Sequence, residues 1–81
     1  MRMISFDNGF TFIDAKEAVD RLYSGKETCI DFDTVVLYMD ENARYTASCR
    51  ADYPEGCDDR TKDVIFLETY LSLADEDLII G

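Results

Sequence analysis

The sequence predicts a small α+β domain: a two-layer sandwich in ββαββα order, with an antiparallel four-stranded sheet and its helices on one face. Three observations carry that prediction. Residues 15–23 and 64–74 place apolar side chains at helical spacing. Residues 3–13 and 27–49 alternate or run apolar around turn-forming residues, as strands do. The connections are short, which favours antiparallel neighbours. The 81 residues form a single domain, 1–81. A chain of this size buries roughly 60–65% of its unfolded surface, enough to fold alone.

Residues 3–13 read as a hairpin. A three-residue loop of Asp7, Asn8 and Gly9 pairs Phe6 with Phe10, Ser5 with Thr11 and Ile4 with Phe12, so that one face is apolar. It also puts Gly9 at the left-handed position on which such loops end. The first helix follows. Asp14 is its N-cap and Glu17 sits at N3, a capping box in its Asp form. Ala15, Ala18, Val19, Leu22 and Tyr23 make one stripe. Lys16–Asp20 and Glu17–Arg21 are pairs four residues apart, and Gly25 ends the helix.

Residues 27–49 read as two strands. Ile30 and Phe32 alternate with Asp31 and Asp33, and Val35 to Met39 is a dense β-type run. Asp40-Glu41-Asn42 turns the chain, pairing Met39 with Tyr45, Leu37 with Ala47 and Val35 with Cys49, with a bulge near Asp33-Thr34. Residues 50–60 are a loop punctuated by Pro54 and Gly56. The second helix starts at Thr61, with Asp63 in its first turn and Val64, Leu67, Leu71 and Ala74 inward. Asp75, Glu76 and Asp77 oppose the dipole at the end of that helix. A break at Ser72 resolves the conflict, since Ser72 then caps a new short helix with the three acids in its first turn.

Composition narrows the function. The N-terminal residues lack a signal-peptide core, and no apolar run approaches the ~18 residues of a membrane span, so a soluble cytoplasmic protein is expected. Three cysteines without a histidine make free thiols the default and disfavour zinc and Cys–His catalysis. A disulfide between Cys49 and Cys57 stays open. Asp31 and Asp33 form a D-x-D pair that could ligate a metal, but they also fit the solvent face of a strand. The Asp40-Glu41-Asn42 turn lacks the calcium-loop order. No phosphate-binding glycine loop, nucleophile elbow or basic patch occurs, so neither an enzyme nor a cofactor is expected.

What remains is charge. The chain carries 18 acids against eight bases, a net −10. The stretch from residue 51 to 81 alone holds nine acids and two bases. Such a field opposes direct nucleic-acid binding and attracts basic proteins. The commonest basic surfaces in a cytosol are those that hold DNA or RNA. In size and charge the chain is similar to small acidic inhibitors of CRISPR effectors and restriction enzymes, and to immunity proteins of nuclease toxins, an analogy of class alone. The expectation is a non-enzymatic inhibitor that presents carboxylates where phosphates would lie. Its partner-binding residues are Asp52, Tyr53, Glu55, Asp58, Asp59, Asp75, Glu76 and Asp77. The alternative is an assembly module, with the second face of the sheet, bearing Val36 and Tyr38, forming a homodimer.

Overall fold

An aspartate starts each helix among the described residues. In the computed structural model, which describes residues 1–26 and 30–81, the elements are β1 (Ile4–Ser5), α1 (Ala15–Ser24), α2 (Phe32–Leu37), α3 (Glu41–Arg50), α4 (Asp59–Leu73) and β2 (Leu78–Ile79). Asp14, Asp31, Asp40 and Asp58 cap the four helices. Each carboxylate accepts the amide N–H three residues on, at 2.8–2.9 Å. That bond satisfies one of the amides a helix start leaves open, and the negative charge suits the positive end of the dipole. Glu17, Asp33, Glu41 and Asp59 add further charge in the first turns.

The antiparallel four-stranded sheet does not form. The described residues hold four helices and one two-stranded parallel sheet, with Ile4 opposite Leu78 and Ser5 opposite Ile79. The segment read as two strands is where the fold departs most. Residues 27–29, including Cys29, lie outside the described residues; from Asp31 onward the segment is helical. Phe32, Val35, Val36 and Met39 fall at i, i+3, i+4 and i+7. Val35 and Met39 are buried, while Phe32 and Val36 pack against the core from its edge. A β-branched run thus serves as a short helical stripe, because two aspartate caps and burial outweigh a propensity difference of well under 1 kcal/mol per residue. Asp31 and Asp33 are the cap and first turn of α2 rather than a strand face, and no bulge is needed at Asp33-Thr34.

Helix α1 matches its expectation. Asp14 caps it, Gly25 closes it at φ +78°, and Lys16–Asp20 and Glu17–Arg21 pair at 3.4 and 3.5 Å. Ala15, Ala18 and Val19 are buried, but Leu22 is only half-buried and Tyr23 lies outside the stripe. The expected hairpin is reduced to a single antiparallel bridge, Ile4 with Ile13 rather than with Phe12. Between them the chain folds around Ser5 and Asp7. The Ser5 hydroxyl accepts the amides of Asp7 and Gly9 and donates to the Asp7 carboxylate, which also accepts the Thr11 amide. Gly9 has the expected positive φ, +92°, and Asn8 shares it at +59°. Phe10 does not pair with Phe6; it is 89% exposed.

Helix α4 is the spine, packing on α1 and α3. Leu67, Tyr70 and Leu71 are buried, and Phe66 meets Phe32 edge-on with ring centroids 6.3 Å apart. It starts at the Asp58 cap, three residues before the expected Thr61, because an aspartate there already accepts the Thr61 amide. It runs through Ser72, whose hydroxyl donates to the Thr69 carbonyl, and ends at the extended Ala74. No new helix begins at Ser72. The dipole conflict is avoided differently: Asp75 and Glu76 form a bend, and Asp77 accepts the Met3 amide at 2.9 Å as the chain enters β2. Ile4, Val19, Val35, Leu67, Leu71 and Ile80 form the fully buried core.

Candidate functional site

The fold sorts the acids into those it uses and those it does not. Four cap helices. Asp7 holds its loop, and hydrogen bonds from Ser5 and Thr11 lower its carboxyl to about 2. Asp20 pairs with Arg60, which is also the main cause of its lowered pKa. Asp63 accepts the Tyr23 hydroxyl at 2.7 Å and so pushes that phenol up to about 12, while the Arg60 guanidinium stands 5.9 Å over the Tyr23 ring. Asp77 ties down the N-terminal strand. Among the described residues, Asp52, Glu55, Glu68, Asp75 and Glu76 have neither a hydrogen bond nor an ion pair to the rest, nor a place at a helix start.

The eight residues expected to bind a partner therefore divide. Asp52, Glu55, Asp75 and Glu76 are exposed and uncommitted, and Tyr53 lies among the first pair at 40% exposure. Asp58 is a cap; hydrogen bonds from Thr61 lower its pKa. Asp59 sits in the first turn of α4, and Asp77 holds Met3. Asp58 and Asp77 thus serve the fold directly. Nor do the eight form one patch. Residues 52–58 lie before α4, Asp59 begins it and 75–77 follow it, and its fifteen residues separate the two groups by about 20 Å.

The second group opens onto a groove. It is a half-open space of about 550 Å³ between the junction of α2 with α3 on one side and the end of α4 with β2 on the other. Met39, Ala43, Leu73 and Leu78 supply its apolar lining, and Asp40, Asp75, Glu76 and Asp77 its carboxylates; no lining residue is basic. Tyr70 joins the two walls, its hydroxyl accepting the Asp40 amide at 2.8 Å. Tyr38 and Ile79 complete it, 51% and 46% exposed. Sequence reasoning placed Asp40 in a turn and Tyr70 within the second helix. It missed their meeting because residues 38–43 and 70–79 come together only through the packing of α3 on α4.

Cys49 and Cys57 are free thiols, and no group of three or more acidic or thiol side chains among the described residues is placed to hold a metal. No helix among them is long and apolar enough to cross a membrane. No known family, curated protein or solved structure matches this chain.

Proposed function

We propose that this chain is a non-enzymatic, acidic protein-binding inhibitor that docks on the basic nucleic-acid-binding surface of a target protein, in the manner of anti-CRISPR, anti-restriction or nuclease-immunity proteins. The observation that supports it is the groove whose lining includes no base and four carboxylates, two of them, Asp75 and Glu76, left unused by the fold. Carboxylates left free by the fold cost self-repulsion and contribute nothing to its caps, so their placement suits a cationic partner. Asp52 and Glu55, at the far end of α4, add to the same field.

The test is competition. The immobilised chain is offered a lysate at low salt, and retained proteins are challenged with a DNA duplex. Retention of a nuclease or other nucleic-acid-binding protein, released by duplex and by salt, supports the reading. Partners indifferent to both overturn it.

Self-association is the second reading. Its expected surface, the second face of a sheet, is absent: Val36 lies in α2 against the core and Tyr38 caps that helix. What favours it now is the exposure of Leu37 and Tyr45, at 78% and 72%, on neighbouring helices. A salt-insensitive dimer in light scattering would select it.

A further inference from the structure

We propose that the groove seats one extended, basic segment of the partner, a Lys- or Arg-bearing strand that lies along β2; the inference deepens the inhibitor reading and rests on it. Two independent features carry it. The first is the open edge of β2. Leu78 donates its amide to Met3 and Ile80 donates to Ser5, so both point toward β1. Alternate residues of a strand turn their backbone groups to opposite sides. The N–H and C=O of Ile79 therefore face away from β1, which lends no residue to the groove, whereas Ile79 lines it. On its other side β1 is already bridged to Ile13, so among the described strands the edge left open is that of β2. An added strand satisfies both groups, the usual way an extended peptide docks on a sheet.

The second feature is charge complementarity along that edge. Asp75, Glu76 and Asp77 lead directly into β2, and Asp40 stands on the opposite wall. A lysine or arginine entering between them meets carboxylates on both walls while its aliphatic stem covers Leu73 and Tyr38. The Tyr38 ring offers a face to the cation. The space of about 550 Å³ accommodates one or two such side chains, not a helix. Rim charges of this kind act chiefly on the association rate, and the strand pairing on the lifetime of the complex. Ile79 also rests on the loop of residues 6–12: a methyl group built on Gly9 would stand 3.8 Å from its terminal carbon. The loop bearing Phe10 thus borders the same edge.

The test uses a blocked hexapeptide of alternating arginine and valine, titrated at low salt into the labelled full chain and read by amide shifts. Saturable shifts are expected at Tyr38, Ala43 and residues 75–79. Asp75→Asn with Glu76→Gln should weaken binding about tenfold. Methylating alternate peptide nitrogens, which blocks strand pairing, should weaken it at least about fivefold. A Glu-Val hexapeptide should not bind. Shifts centred on residues 52–59 overturn the groove assignment and leave the wider inhibitor reading standing. Equal affinity of the methylated peptide overturns the strand pairing. Absence of saturable shifts overturns the proposal, and the duplex competition then decides the inhibitor reading separately. Shifts at Ile79 that grow with protein concentration alone would put a second copy of this chain on the edge instead.

Discussion

Replacing Tyr70 by Phe removes one oxygen and nothing else. That oxygen accepts the Asp40 amide, at 2.8 Å, and so ties the start of α3 to α4. The ring is 4% exposed, so its packing is retained in the variant. The loss is that of one hydrogen bond, about 0.5–1.5 kcal/mol, rising toward ~3 kcal/mol if the amide finds no water. Asp40 itself is exposed, which favours the lower range and an expectation of about 1 kcal/mol. For a domain of this size that is a fall in Tm of roughly 4–8 °C. Urea unfolding followed by circular dichroism should show a lower midpoint at unchanged slope. Hydrogen exchange at the Asp40 amide should speed up before that of the α4 core. Tyr38→Phe, altering a half-exposed hydroxyl in the same groove, serves as control and should stay within about 0.5 kcal/mol of wild type. If the two variants melt alike and the Asp40 amide stays protected, the hydroxyl does not hold the walls together.

Four other outcomes are expected. Gly9→Ala should cost about 1 kcal/mol in a denaturant melt, because its φ of +92° strains a Cβ even though the nearest atom leaves room. Ser72→Ala should be neutral within about 0.5 kcal/mol, since this exposed serine sits inside α4 and begins no helix. Asp14→Ala should cost about 1 kcal/mol through loss of a cap, whereas Asp75→Asn with Glu76→Gln should leave the thermal melt unchanged. Asp7 ionises near 2 when folded, below its ordinary 3.8. Its contribution to stability is therefore full above about pH 4 and lost as pH falls toward 2. Asp7→Asn should flatten that part of a stability–pH curve; an unaltered curve would mean the Ser5–Asp7–Thr11 contacts are not made in solution.

Local signals were legible wherever a single stretch carried them. Asp14 with Glu17, the stripe beginning at Ala15 and the stop at Gly25 sit within twelve residues and agree with one another. The same aspartate signal stands before Thr34, Ala43 and Thr61, but the run from Val35 to Met39 masked it by looking like a strand. Its spacing fits either structure over so short a span, and only burial against α4 decides. β2 was illegible for another reason: two residues gain their conformation from Ile4 and Ser5 at the other end of the chain. The candidate acids were read correctly as exposed at 52, 55, 75 and 76. That Asp77 holds the fold, and that a groove adjoins Asp75, depend on contacts between distant segments.

The pairing of Met3 with Asp77 spans 74 positions. Helices α1 to α4 can begin to form from local caps as the chain leaves the ribosome, but the wall that β2 gives the groove cannot. It needs β1 to wait for residues more than seventy positions later, and closing so long a loop is slow relative to forming a helical turn. The edge of β2 therefore matures after the helical body. A chain cut before Leu78 would keep the acidic charge without the strand edge, and under the proposed function it would attract basic surfaces yet release them quickly.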